Sequence, residues 1–231
     1  MNTEKLFNII ETTNIAGIGQ IILQKEDDHV LVRGLDTPDQ DISIVLFSKT
    51  DKDVIDKTCG IHRVPVLLSR MTLMNLDKTK VSTEENDDFL KSIHMKEKNK
   101  RISYSFAEPN TIRAPKNVVN DEIVNRVILK KDDVVNITKA VSAFNPVHFV
   151  LSGEGNDIVL KLVDDVSDAF TDVVGKNVTG DWSNKWRTDS VMRLVKHSIK
   201  NNDDVELGIG KDGILFIEVN SLMFMVLPRT S

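Results

Sequence analysis

The sequence predicts an α+β fold made of one unit used twice, each copy two helices packed on one face of a mostly antiparallel sheet. Three observations lead there. Apolar residues at helical spacing are confined to four stretches, while short apolar or alternating runs bounded by turn residues are numerous. The same order of elements recurs at an offset of about 127 residues, which reads as duplication rather than a short-period solenoid. Between the copies, Pro109, Pro115 and several Asn residues have the composition of a connector. The expected division is residues 1–108, a connector 109–123, and residues 124–231.

The first helix is expected over Thr3–Ala16, with Leu6, Ile9, Ile10 and Thr13 on one face and Thr3 as its cap. Strands follow at Gln20–Gln24, His29–Arg33 and Ile42–Phe47, the acidic turn Glu26–Asp28 closing the first pair. A second helix over Val64–Met74 places Val64, Leu67, Leu68 and Met71 at core spacing. Pro65 falls in its first turn, where a missing N–H is harmless. Three more strands fit Lys78–Ser82, Phe89–His94 and Ile102–Phe106.

The second copy repeats the order. A helix over Asp133–Phe144, capped by Asp132, carries Val134, Ile137, Thr138 and Val141 on one face. Strands are expected at Val147–Ser152, Asp157–Val163 and Ala169–Val174, with Gly153–Asn156 as a turn. A fourth helix covers Asp189–Asn201. Val205–Ile209, Ile214–Val219 and Leu222–Leu227 complete the set.

Composition narrows the class. A hydrophobic share of 40% and a charged share of 28% are ordinary for a globular chain. One cysteine, Cys59, excludes an internal disulfide and offers no metal-ligand spacing, so a reducing cytoplasm is the expected compartment. No apolar run is long enough for a membrane helix, and the polar start lacks a signal peptide's apolar stretch. The net charge of −5 argues against nucleic acid only as an average over the surface. The acids gather in apparent turns, whereas several cations fall on expected helices.

Helix four shows this best. Val191, Leu194, Val195, Ser198 and Ile199 form an apolar stripe, and Arg193, Lys196, His197 and Lys200 follow the same spacing on the opposite side. Arg193 lies about 200° around the helix from Val191. Lys185 and Arg187 extend the basic patch upstream. Lys139 on helix three, Arg63 and Arg70 on helix two and Lys5 on helix one echo it. A solvated charged face is the bland alternative for each.

Other features point away from chemistry. Gly208–Gly213 contains glycines and Lys211 but lacks the spacing and following Ser/Thr of a phosphate loop, and its place between two strands reads as a hairpin turn. The histidines show no paired ligand spacing, and Asp164-Asp165 and Asp203-Asp204 suit turns. Trp182 and Trp186 flank a basic stretch, but core or rim packing is preferred to base stacking. No catalytic residue, metal site or cofactor is expected.

The pattern resembles the DNA sliding clamps, the family of proliferating cell nuclear antigen and the trimeric clamps of T-even-like phages. Gly34-Leu35-Asp36-Thr37 before a strand is similar to the clamp segment in which a hydrophobic residue and Asp precede a polar turn. Ser190–Lys196 resembles the last helix of the second clamp domain, and Met225–Arg229 the closing strand with its Pro. The connector Phe106–Pro115 is similar to the phage version, as is a first helix that starts almost at Met1.

The resemblance implies a duplicated DNA-clamp fold and a homotrimeric ring, with helices lining a hole that holds duplex DNA without sequence specificity. The phosphate-facing residues would be Lys5, Arg70, Lys139, Lys185, Arg193, Lys196 and Lys200. Implied partners are further copies of the chain, a DNA polymerase docking by its C-terminal peptide, and a clamp-loader ATPase. Late transcription is a further role known for phage-type clamps. In that case the compartment is the host cytoplasm. A peptide pocket is expected from Leu35, Ile42, Val119, Ile123, Leu227 and Pro228, apolar where a surface strand or linker would be polar. Their other use would be sealing the two copies together. Two readings compete with the clamp. One is an uncharacterised enzyme using an inter-domain cleft, and the other a β-rich single-strand binder or structural protein that forms no ring.

Overall fold

A computed structural model describes residues 1–36, 41–117, 120–164, 169–176, 178 and 180–229. Among the described residues are four α-helices and fifteen strands. The chain divides into two compact units, Met1–Val118 with Asn220–Leu222, and Val119–Val219 with Met223–Ser231.

The first unit runs α1 (Thr3–Ile15), β1 (Ile21–Lys25), β2 (His29–Leu35), β3 (Ile44–Asp51), β4 (Cys59–Ile61), α2 (Val64–Met71), β5 (Lys80–Glu85), β6 (Leu90–Glu97) and β7 (Lys100–Ser105). The second runs β8 (Ile123–Lys130), α3 (Lys131–Phe144), β9 (His148–Glu154), β10 (Asp157–Val163), β11 (Ala169–Lys176), β12 (Trp182–Arg187), α4 (Thr188–Asn201), β13 (Asp204–Gly210), β14 (Leu215–Val219) and β15 (Leu222–Val226). Duplication extends to strand order. The first unit contains the order β4-β1-β2-β3 and the second β12-β9-β10-β11, while β5-β6-β7 matches β13-β14-β15. The pairings within β4-β1-β2-β3, β12-β9-β10-β11 and β5-β6-β7, and that of β13 with β14, are all antiparallel. β8 precedes α3 and pairs with β13.

The helices pair within each unit, α1 with α2 and α3 with α4. In the first unit Leu6, Ile9 and Ile10 of α1, Val64, Leu67 and Met71 of α2 and the strand residues Leu23, Val32 and Leu46 are all buried. In the second, Val134 and Ile137 of α3 and Val191, Leu194 and Val195 of α4 are buried with Phe149, Trp186 and Phe224. Burying such side chains is the main favourable term, at about 25 cal/mol per Å² of apolar surface.

Local chemistry moved several boundaries. Asn2, not Thr3, caps α1, its side-chain oxygen accepting from Lys5 N at 3.1 Å. α2 ends at Met71 because Leu73 and Met74 donate to Arg70 and Met71, tightening the chain into a 3₁₀-type turn. At α3 the capping carboxylate is Asp133, which accepts from Lys130 N at 2.8 Å, rather than Asp132. β4, β8 and β12 were not expected as strands. β4 is three residues centred on Gly60, and the polar β12 takes its conformation from six pairings with β9. β8 does alternate, with Asn125, Val127 and Leu129 buried. Its first residue fell within the expected connector.

Candidate nucleic-acid interface

α4 is packed on both flanks as well as underneath. Thr188, Ser190, Val191, Met192, Leu194, Val195, His197 and Ser198 are all buried. What remains exposed is one narrow stripe, Asp189, Arg193, Lys196 and Lys200, at i, i+4, i+7 and i+11. At 100° per residue that stripe covers about 60° of the helix. His197, expected on the basic face, is only 7% exposed and belongs to the packed flank.

The stripe is also not purely basic. Asp189 Oδ2 accepts from Arg193 Nη2 at 2.8 Å, and Oδ1 accepts from Arg187 Nε at 3.2 Å. Partial burial alone would raise the Asp189 pKa. The Arg193 hydrogen bond and the two guanidinium charges outweigh it and hold the carboxyl below its ordinary range. Lys196 and Lys200 project beyond this pair, and Lys200 shares a polar surface depression with Lys131, Asn202, Asp203 and Asp204. On α3, Lys139 is exposed between Asn136 and Ala143. Lys185 is half-buried on β12, its carbonyl accepting from Arg229 N at 2.8 Å.

The first unit differs. Lys5 Nζ lies 2.7 Å from Asp51 and 3.0 Å from Asp53, and hydrogen bonds to the two carboxylates raise its pKa, that to Asp51 most. Arg70 Nη1 donates to the Ser103 carbonyl at 2.6 Å, with the guanidinium carbon 5.7 Å from the centre of the Tyr104 ring. The solvent side of α1 carries Glu4 and Asn8. Among the described residues, uncommitted cations on a helix surface therefore belong to α3 and α4.

The expected peptide-pocket residues are placed as follows. Leu35 ends β2 with 7% exposure, and Ile42 is half-buried just before β3. Val119 lies outside the described residues. In the second unit Ile123 opens β8 against Gly208, where an added Cβ would lie 2.9 Å from Ile123 Cδ1. Leu227 and Pro228, half-exposed after β15, are followed by Arg229, whose N–H is anchored on Lys185.

The glycine-rich Gly208–Gly213 segment is the end of β13 and the turn that leads into β14. Asp121 fills it, accepting from Asp212 N at 3.0 Å and Ile214 N at 3.4 Å. A side chain at Gly210 would collide with that carboxylate. Trp186 is fully buried and donates to the Gly213 carbonyl at 3.0 Å; Trp182 is half-buried. Burial drives the Cys59 thiol pKa far up, so it is no thiolate nucleophile. Among the described residues no three His, Cys, Asp or Glu groups gather as metal ligands, and no helix is long and apolar enough to cross a membrane.

Spacing gave no sign of one polar cluster. His94 Nδ1 is 2.8 Å from Ser103 Oγ, and His94 Nε2 is 2.9 Å from Ser92 Oγ and 3.3 Å from Glu84. Its members come from β5, β6 and β7, so only strand register reveals it. Asp189, by contrast, sits four residues before Arg193, a spacing visible in the sequence.

No protein-family model matches the chain, and no curated protein matches it. Solved structures do. The A. fulgidus PCNA, in a structure with the C-terminal region of FEN-1 bound, superposes with a TM-score of 0.70 at 13% identity, covering 100% of this chain and 97% of that one. The Entamoeba histolytica proliferating cellular nuclear antigen gives 0.66 at 15% identity, covering 97% and 94%. The Borrelia burgdorferi DNA polymerase III subunit beta gives 0.68 at 12% identity, covering 100% of this chain and 62% of that longer one. Likeness at such low identity, spread over the whole length, establishes architecture: this chain has the fold of the DNA sliding clamps.

Proposed function

We propose that the chain is one subunit of a homotrimeric ring that encircles duplex DNA, slides on it and tethers a replicative polymerase. The observation that carries this reading is the exposed stripe of α4, where Arg193, Lys196 and Lys200 are the cations that a clamp-fold helix presents to solvent. Such a stripe meets phosphates and reads no bases, which suits a protein that must slide. Open non-specific complexes have Kd values of roughly 10⁻⁴–10⁻⁶ M and dissociate within about milliseconds. A closed ring holds on topologically, so weak contacts become an advantage.

Assembly is supported by two sheet edges. β7 ends the first unit's three-stranded order and β11 ends the second unit's four-stranded one. An unpaired edge invites pairing, and pairing β7 of one subunit with β11 of the next covers both of these edges as it closes a ring. Apolar surface lies beside both. Leu73, just past α2, is 63% exposed, and near β11 an open groove is lined by Ala140, Ala143, Phe144 and Phe170. We place Leu73 of one subunit in that groove of its neighbour.

The bound FEN-1 segment in the A. fulgidus structure supports peptide docking here as well, with a polymerase tail on Leu227 and Pro228. A loader ATPase opens the ring, the compartment is the cytoplasm, and the chain performs no catalysis. Connector residues Phe106–Pro115 support a phage-type clamp, for which late transcription is a second role.

Native mass spectrometry tests the assembly, and primer extension with loader and polymerase tests the function. A trimer that lengthens products is expected. A monomer that never assembles on DNA would refute the proposal.

A further inference from the structure

The three-stranded sheet of the first unit has two unlike faces. Ile93, Met95 and Tyr104 are buried on the side of α2, where Tyr104 Oη accepts from Arg63 N and Arg70 covers the ring. The other face is set by strand register. Lys80 stands opposite Lys96, and Lys96 opposite Arg101, so three cations line up across three strands. In the next row Ser82, His94 and Ser103 are paired in the same way.

The cation row is physically unusual. Like charges directly opposite on neighbouring strands repel, and all three side chains are exposed. None of them makes a side-chain ion pair or hydrogen bond with a described residue. The nearby acids are occupied elsewhere, Glu97 with Lys100 at 3.9 Å and Glu84 with Ser92 and His94. Lys98 adds a further cation at the tip of the β6–β7 hairpin, in the left-handed region at φ 50°. The sequence here, Lys96-Glu97-Lys98-Asn99-Lys100-Arg101, is the kind of basic run that recurs in nucleic-acid patches.

We infer that this face is a second contact for duplex DNA, taking the phosphodiester backbone across Lys80, Lys96 and Arg101 with the Ser82 and Ser103 hydroxyls beside them. Strands stand about 4.8 Å apart, so the row spans about 10 Å. A single small anion cannot meet all three charges at that span, whereas a duplex offers a charge every 1.7 Å or so of its axis. The two rows carry no apolar anchor of the kind that peptide docking uses and no Phe, Tyr or Trp for stacking unpaired bases. The contact is distinct from α4 and does not depend on the ring: it uses residues of the first unit only.

The test is fluorescence anisotropy of a short blunt-ended duplex oligonucleotide over a salt series. Three proteins are compared: wild type, a Lys80→Gln/Lys96→Gln/Arg101→Gln variant, and an Arg193→Gln/Lys196→Gln/Lys200→Gln variant. The sheet-face variant is expected to lose about two to three units of slope in log K against log salt, with at least tenfold weaker binding at low salt. Its Tm should equal or exceed that of wild type, because repulsion is relieved. Wild-type affinity and slope in that variant would overturn the inference, whatever the α4 variant does. Displacement of the duplex by poly-glutamate at equal charge concentration would also overturn it, assigning the face to acidic proteins. Loss of binding in the α4 variant alone would leave the channel reading standing without this one.

Discussion

Asp189 accepts a 2.8 Å hydrogen bond from Arg193, one turn further along α4, and so sets an acid at the head of an otherwise cationic stripe. The same carboxylate holds Arg187 through its other oxygen. Two of the guanidinium groups nearest the proposed DNA channel are thus restrained, and their charge is offset.

Replacing Asp189 with Asn should therefore strengthen DNA binding. The salt slope should steepen by about one unit, as one more net positive charge faces the phosphates. The carboxyl is held below its ordinary pKa, so its share of stability is present above the unfolded value, near 4, and is lost as pH falls through the lower folded value. Urea midpoints of wild type should fall in that acid window, and those of the Asn variant should fall less. Unchanged DNA affinity and an identical acid profile would show the pair to be inert.

The four helices were legible because their apolar residues keep a 3.6-residue spacing that turns do not imitate. Strand β12 was not, since Trp182-Ser183-Asn184-Lys185-Trp186-Arg187 has no regular alternation and is held by β9. The basic stripe of α4 was legible in outline, but its width depends on what flanks the helix, and only packing buries His197. Lys5 and Arg70 stood out as cations on helices. Their partners Asp51, Asp53 and Ser103 lie tens of residues away, beyond the reach of any periodicity.

Helix charge should matter unequally between the units. Charge reversal of Lys196 and Lys200 to Glu should abolish polymerase stimulation on primed templates while leaving the oligomer mass unchanged. Lys5→Ala should reduce the salt slope less than Lys196→Ala, because that ammonium is engaged by Asp51 and Asp53 rather than offered to phosphate. A slope reduced as much by Lys5→Ala as by Lys196→Ala would contradict the asymmetry.

Assembly should depend on the apolar surface beside the two edges. Phe144 is 45% exposed and Leu73 63%, so an Asp at either site adds no buried charge to the isolated subunit. In a joined interface the same Asp would be desolvated without a partner. Phe144→Asp and Leu73→Asp should each shift the trimer toward monomer by native mass spectrometry while circular dichroism stays native. Intact trimers in both variants would place the interface elsewhere.

Trp186 should be structural only. Trp186→Phe removes the donor to the Gly213 carbonyl and leaves a void in a fully buried site. Together these should cost about 2–4 kcal/mol, read from the urea midpoint. The salt slope of DNA binding in the folded variant should match wild type, and a reduced slope would revive stacking or contact by this residue.

The last prediction concerns the peptide site. Leu227 and Pro228 leave β15 half-exposed, and the chain is pinned just beyond them by the 2.8 Å bond from Arg229 N to the Lys185 carbonyl. Pro228 also packs near Gly213, its Cβ 3.6 Å from the position an added Cβ would take there. Apolar groups held in place in this way lose little freedom when a partner docks, so their burial counts almost fully toward affinity. A peptide copied from the polymerase C-terminus should bind with micromolar Kd, equivalent to about 8 kcal/mol. Leu227→Asp puts a carboxylate where the peptide's apolar side chain must sit, and should weaken binding at least tenfold. Processive synthesis should fall with it, while trimer mass and the salt slope for DNA stay unchanged. Equal peptide affinity in the Leu227→Asp variant and wild type, measured by calorimetry, would remove this surface as the docking site and leave the ring reading to stand on α4 and the two sheet edges.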